Sequence, residues 1–270
     1  MINFSEIIWK PQRAKGSHAS ATITDPSEST EEISELRRIP IEEVRILPES
    51  RIVLMTDPQS PGADRFRFLR MRLRELQDAV SLKRLLITSA LPQDGKSTVA
   101  LNLATALAER GKRTVLLLEA DLYHPSLAQK LGLQIRPGLA ECLEEGLDPL
   151  LALRRLEPLG WYLLQGGTAR GNPTELLQSE SFPSLLHKLT PYFDWILIDT
   201  PPISPLTDAI SISRHADAGI VVVRAGRTPQ EAVKHALTLL GPKHVLGIVF
   251  NAAEGLNRTY SEYYGYYNKK

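Results

Sequence analysis

The chain has 270 residues, 43% of them hydrophobic and 23% charged, which suits one large α/β domain with a tail or two. Lys and Arg number 32 against 31 Asp and Glu, so the formal net charge of +1 excludes a global basic field for nucleic acid and leaves only a local patch. Cys142 is the single cysteine and has no intrachain disulfide partner, which argues for a reducing compartment. Apolar stretches such as residues 115–118 and 218–223 are far too short to cross a bilayer, and residues 1–9 are neither long nor basic enough for a signal peptide. The sequence therefore reads as a soluble cytoplasmic protein.

Residues 1–62 read as a flexible leader. Ser, Thr, Glu and Pro are abundant from residue 10 onward, and Pro11, Pro26, Pro40, Pro48, Pro58 and Pro61 break any long periodicity. The first segment carries Ile2, Phe4, Ile7, Ile8 and Trp9, which would dock on a partner, touch a membrane surface or fold back on the chain's own domain. From Asp64 the pattern becomes helical. Phe66, Leu69, Leu73, Leu76 and Val80 share one face, and Arg65, Arg67, Arg70, Arg72 and Arg74 occupy the polar side. Such an arginine-rich face would bind phosphate or a protein, or simply be solvated.

A strand–helix alternation follows. Strands are expected at 85–88, 114–118, 161–164, 196–198, 219–223 and 245–250, and helices at 97–109, 175–189, 208–215 and 229–240, with Gly111 ending the first of these helices. Strands that are continuous apolar runs separated by helices indicate an α/β fold, with a mostly parallel central sheet flanked by helices on both faces. The domain is expected over 63–253 and a tail over 254–270, because the apolar pattern stops after Asn251.

Between the first of these strands and its helix the chain reads Ala90-Leu91-Pro92-Gln93-Asp94-Gly95-Lys96-Ser97, followed by Thr98. This is a P-loop pattern with Ala in place of the first Gly, so a P-loop NTPase fold is expected. The loop formed by Pro92, Gln93, Asp94, Gly95, Lys96, Ser97 and Thr98 would turn backbone N–H groups around phosphates at a helix N-terminus. Lys96 would reach the β- and γ-phosphates, and the Ser97 hydroxyl would coordinate Mg²⁺. Asp199, after the apolar run 196–198 and before Pro201 and Pro202, is a Walker B candidate able to hold Mg²⁺ through water. Glu119 and Asp121 end the strand after the P-loop helix. Both would project toward the phosphates, to activate a nucleophile or help bind metal, or would simply cap the following turn.

This constellation resembles the bacterial tyrosine kinases of capsule and exopolysaccharide assembly, and the resemblance runs from about residue 58 to the C-terminus. The family's Glu-x-x-Arg-x-x-Arg oligomerisation helix matches Asp64, Arg67 and Arg70. Its Walker A matches 90–97, its second acidic Walker motif 116–121 and its Walker B 196–202. Asn172-Pro173-Thr174-Glu175-Leu176-Leu177 resembles the family's Asn-Pro-x-Glu-Leu-Leu segment, and Thr207-Asp208-Ala209 resembles the stretch after Walker B. The most specific sign is residues 260–267, Tyr-Ser-Glu-Tyr-Tyr-Gly-Tyr-Tyr, which hold five of the chain's 8 tyrosines: Tyr260, Tyr263, Tyr264, Tyr266 and Tyr267. Interleaved with Ser, Glu and Gly, they suit neither a core strand nor an apolar helix face, and a mobile phosphate acceptor is the favoured reading over a sticky tail. Three positions depart from the family. Glu119 stands where it usually has Asp, Gln93 where it commonly has Gly, and Tyr123 where it often has a basic residue.

The resemblance implies an ATP- and Mg²⁺-dependent protein-tyrosine autokinase that regulates exopolysaccharide or capsule synthesis or export. Lys96, Glu119, Asp121 and Asp199 would be catalytic, with Glu119 or Asp121 taking the phenol proton, and Ser97, Asp121 and Asp199 would organise the metal. Phosphate would pass to the tail tyrosines between subunits of a homo-oligomer, a ring, built on the Asp64, Arg67 and Arg70 helix. It also implies a separate membrane activator of the polysaccharide co-polymerase type, which recruits the kinase to the inner face of the cell membrane. Two alternatives stand beside it. One is a non-catalytic nucleotide-gated scaffold of the same machinery. The other is a ParA/MinD-type positioning ATPase, whose P-loop carries a lysine where this chain has Leu91.

Overall fold

The computed structural model describes residues 35–253; the start of the leader and all five tail tyrosines lie outside the described residues. Eight strands form one sheet: β1 (Ile41–Glu43), β2 (Arg84–Ser89), β3 (Val115–Glu119), β4 (Arg154–Glu157), β5 (Trp161–Leu164), β6 (Trp195–Asp199), β7 (Ala218–Arg224) and β8 (Val245–Asn251). Their order is β1-β4-β5-β3-β6-β2-β7-β8. The six strands from β5 across to β8 are mutually parallel, whereas β4 pairs antiparallel with β5 and β1 runs alongside β4. The principal helices are α1 (Pro61–Ala79), α2 (Lys96–Ala108), α3 (Leu139–Glu145), α4 (Pro173–Gln178), α5 (Ser181–Leu189), α6 (Asp208–Ser213) and α7 (Gln230–Leu240).

The six parallel strands are mostly apolar because both sheet faces are covered there, whereas β1 and β4 carry Glu and Arg. Successive residues point to opposite faces, so Leu116, Leu118, Ile196, Ile198, Val221 and Val223 pack with α3 to α7. Val115, Leu117, Leu197, Ile220 and Val222 pack on the other face with α2, and Leu73 of α1 closes that layer from outside. This is the α/β P-loop architecture expected from the sequence. Register then places the chemistry. Ile87 of β2 and Glu119 of β3 both pair with Asp199 of β6, so the P-loop, Asp121 and Asp199 leave the sheet at one edge. Open parallel sheets bind ligands at that edge.

Two expectations change. The leader is not flexible through residue 62. From residue 35 the chain packs on the domain, burying Leu36, Ile39, Val44 and Ile52, and α1 begins at Pro61 with Ser60 accepting the Ala63 N–H. Prolines interrupt helical periodicity, but isolated apolar residues between them suffice for docking. Single, interrupted apolar positions give no periodic signal, which is why the sequence reads as leader here. The second change is in the expected helix over 175–189, which is two helices. Ser179 is extended (φ −70, ψ 157) and its hydroxyl donates to the Leu176 carbonyl at 2.7 Å, so a serine side chain takes over the helix's own acceptor.

The docked segment is fastened by Arg154 of β4, 4% exposed, whose guanidinium forms a two-armed pair with Glu42 of β1 and donates to the Gln134 carbonyl at 2.8 Å and to Gln165 Oε1 at 2.9 Å. The Arg154 hydrogen bonds hold Glu42 below the usual carboxylate range, outweighing the opposing effect of burial. A lowered carboxylate pKa stabilises the fold above the unfolded value and loses that contribution as pH falls through the folded one. Replacing Arg154 with Met is therefore expected to cost about 2–3 kcal/mol at pH 7. Denaturant melts should show the gap between Arg154→Met and wild type narrowing as pH drops below Glu42's ordinary 4.5.

Candidate active site

The P-loop links β2 to α2, and two backbone positions define it. Gly95, the residue before α2, has φ +96, and a Cβ there would collide with the Asn251 side-chain amide. Only glycine fits. Gln93 has φ +66, a left-handed conformation that costs a residue with a Cβ roughly 1 kcal/mol. The loop is braced against that cost. Arg224 reaches the Gln93 carbonyl at 3.4 Å and Arg227 its side-chain oxygen at 3.3 Å. Asp94 accepts from the Leu91 N–H at 3.0 Å and the Thr228 hydroxyl at 2.6 Å, and Asn251 donates to the Asp94 carbonyl at 2.9 Å. Pro92 and Gln93 are exposed, Lys96 and Thr98 half-buried, and Asp94 and Ser97 buried. The braced loop leads into the first, unpaired N–H groups of the 13-residue α2, the arrangement that binds phosphate.

Lys96, Ser97, Asp121 and Asp199 come together as expected. Lys96 Nζ lies 2.8 Å from Asp121 Oδ2 and 3.5 Å from Ser97 Oγ. Burial disfavours the Lys96 charge, but Asp199, Asp121 and Glu119 outweigh it and its pKa is raised. Asp121 is 3% exposed, and its Oδ1 accepts the His124 N–H at 3.1 Å, closing the turn after β3. Asp199 is the outlier. It is 1% exposed, and neither oxygen has a hydrogen-bond partner at full geometry among the described residues, although the Ser97 hydroxyl is near enough to favour its charge. Burial pushes its pKa up to about 6 against the pull of Lys96.

An orphaned buried carboxylate beside a hydroxyl and the open end of α2 fits a divalent cation carried in with a nucleotide. Among the described residues no group of three or more His, Cys, Asp or Glu would hold a metal unaided. A cation here would complete its shell with phosphate oxygens and water, which suits Mg²⁺.

Glu119 follows the turn-capping alternative rather than the phosphate-facing one. It is buried, but Oε1 accepts the Ser126 and Leu127 N–H groups at 2.5 and 2.7 Å and Oε2 accepts the Gly166 N–H at 2.9 Å. Burial raises its pKa despite these three donors. Both oxygens are occupied in clasping two loops, so Glu119 serves as a brace and leaves Asp121 as the carboxylate facing Lys96.

On α1, Asp64 and Arg67 pair at 2.7 Å, and Arg67 also donates to the Pro58 carbonyl at 2.6 Å. Arg70 reaches the Ala106 carbonyl at 3.5 Å and Arg74 pairs with Glu109 at 2.8 Å, so this arginine face also docks α1 on the end of α2. Thr228 and Arg227 are site residues that the sequence reading missed, since a turn after β7 carries no motif. Asp208 was visible only as part of the stretch after Walker B. It is 1% exposed and, like Asp199, has two oxygens without a full-geometry partner.

Comparison with known proteins decides among the P-loop classes. Residues 83–268 match the ParA family profile, described as NUBPL iron-transfer P-loop NTPase. The tyrosine-protein kinase YwqD of Bacillus subtilis is 32% identical over 225 residues, which cover 82% of this chain and 93% of that one. The chain belongs to the bacterial tyrosine-kinase family of P-loop NTPases. The tyrosine-protein kinase CpsD of Streptococcus pneumoniae is 34% identical over 194 residues, 70% of this chain and 85% of its own. The crystal structure of the chimerical protein CapA2B2 superposes with a TM-score of 0.70 at 27% identity, covering 83% of this chain and 98% of that one. Among the described residues no helix is long and apolar enough to cross a membrane.

A family member with Asp199 as its buried carboxylate should bind Mg²⁺–nucleotide in a pH-dependent way, because metal and proton compete for one group. Calorimetric titration with Mg²⁺–ADP is expected to show affinity falling below pH 6, by up to about tenfold per unit. The Asp199→Asn variant should bind more weakly and lack that slope.

Proposed function

We propose that this chain is an ATP-dependent protein-tyrosine autokinase that phosphorylates its own C-terminal tyrosine cluster between subunits. The observation that carries the reading is the grouping of Lys96, Ser97, Asp121 and Asp199 at the mouth of the P-loop, in a chain whose relatives YwqD and CpsD are named tyrosine-protein kinases. Mg²⁺, held by Ser97 and Asp199 with Asp121 nearby, would supply charge neutralisation on the β- and γ-phosphate oxygens. The α2 N–H groups and Lys96 would bind the same phosphates.

ATP phosphates entering the loop offer Lys96 a second anionic partner, and Asp121 is then released from its 2.8 Å pair. Asp121 would accept the phenol proton as the phenol oxygen bonds to the γ-phosphorus and the bond to the ADP oxygen breaks. Lys96 would stabilise the charge on the phosphoryl group in transit. Glu119 would act one step back, keeping the loops at 125–127 and 165–167 in place.

The acceptors would be Tyr260, Tyr263, Tyr264, Tyr266 and Tyr267 of a neighbouring copy, brought within reach by a ring assembled through the Asp64, Arg67 and Arg70 helix. Phosphate accumulating on the tails would loosen that ring by charge repulsion. In the cell we place the kinase in the cytoplasm, recruited to the membrane by a polysaccharide co-polymerase that switches it on, and its output in exopolysaccharide or capsule production.

Mass spectrometry after incubation with ATP and Mg²⁺ is the test. Wild type should carry phosphate within residues 260–267, and Lys96→Met should lose it by about 100-fold or more. Nucleotide binding without any phosphotyrosine, with or without a co-polymerase, would favour the nucleotide-gated scaffold instead.

A further inference from the structure

Four buried side-chain oxygens lack a full-geometry hydrogen-bond partner among the described residues, and they belong to only two carboxylates, Asp199 and Asp208. Nucleotide and cation account for Asp199. Asp208 is left over. It opens α6, which packs on α4, and the Thr174 hydroxyl of α4 is near enough to favour its charged form. Burial above all, and then the Asp121 charge, oppose that form and raise the Asp208 pKa. Thr174 in turn meets the Tyr123 hydroxyl at 2.9 Å. When Tyr123 donates to Thr174, the threonine hydrogen is free to turn toward Asp208, whose two oxygens have no full-geometry partner, so Thr174 stands between the phenol and that buried carboxyl.

Tyr123 itself is held from two ends. Its backbone lies in the turn that Asp121 closes by accepting the His124 N–H, and its hydroxyl is tied to α4. The residue is nevertheless 38% exposed. A fixed, half-exposed aromatic ring two residues from the carboxylate facing Lys96 is a ready contact for another ring.

We propose that Tyr123, anchored through Thr174 to Asp208, forms the acceptor-side wall of the site and positions the incoming tyrosine against Asp121. The inference rests on the kinase reading and adds which residues recognise the acceptor. The occupant is the tyrosine-rich tail of a second copy, whose closely spaced phenols offer one ring to Asp121 and a neighbouring ring to Tyr123. Tyr123 is thus a specificity-determining residue, and Thr174 and Asp208 are positioning residues that act through it.

The test separates acceptor recognition from phosphoryl transfer. A fluorescent peptide of residues 258–270 is titrated into the full chain loaded with Mg²⁺ and a non-hydrolysable ATP analogue. Tyr123→Ala should weaken peptide binding about tenfold, the loss of one ring contact and its hydrogen-bonded anchor. Tyr123→Phe and Thr174→Val should each give a smaller loss of about threefold, and Thr174→Ser should restore wild-type binding. Affinity for the analogue should stay within about twofold throughout. Peptide binding by Tyr123→Ala equal to wild type overturns the proposal. So does a parallel loss of peptide and nucleotide affinity, which marks a merely structural role. A wild type that phosphorylates its tail in the mass-spectrometric assay, yet binds the peptide no better than Tyr123→Ala, sinks the acceptor wall and leaves the kinase reading standing.

Discussion

Much of this molecule follows from the cost of holding one ammonium and three carboxylates in a nearly dry place. Lys96, Glu119, Asp121 and Asp199 are all largely removed from water, and a bare charge in such surroundings is expensive. The fold assigns each a different solution. Asp121 takes Lys96 at 2.8 Å, Glu119 takes three backbone N–H groups, and Asp199 is left without a full hydrogen bond. The imbalance at Asp199 is one that a bound cation would relieve.

The same economy explains the loop around the phosphates. A glutamine in the left-handed region would be a liability in an unsupported turn. Here two arginines from the β7 turn reach its carbonyl and its side chain, and Thr228 and Asn251 secure Asp94. The far edge of the parallel sheet, β7 and β8, thereby tunes a loop that belongs to β2. At the opposite edge Arg154 connects the docked N-terminal segment through Gln165 to the strip next to Gly166, where Glu119 holds its loops. Both edges of the sheet are in mechanical contact with the site at its centre.

How much of this the sequence discloses depends on the length scale of the signal. The six parallel strands are built on short apolar runs, and each lies within about two residues of its expected position because burial of the central ones favours that pattern. β1 and β4 escape notice: they are short, carry Glu and Arg, and owe their place to a pairing between Glu42 and Arg154 that sequence distance hides. Lys96, Ser97 and Asp199 are legible because the P-loop and Walker B patterns tie residue type to backbone geometry. Glu119 is not. Its spacing from Asp121 allows either a carboxylate facing the phosphates or a turn cap, and the return of the loops at 125–127 and 165–167 selects the clasp.

Transfer of phosphate from nucleotide bound on one subunit to the tail of another is open to a complementation experiment. Full-length Lys96→Met, which keeps its tyrosines, is mixed with a wild-type chain truncated after residue 253, which keeps its P-loop, in ATP and Mg²⁺. Phosphotyrosine is expected on the Lys96→Met chain only when both are present. A Lys96→Met tail that stays unmodified in the mixture, while intact wild type phosphorylates its own tail in a parallel sample, would contradict transfer between subunits.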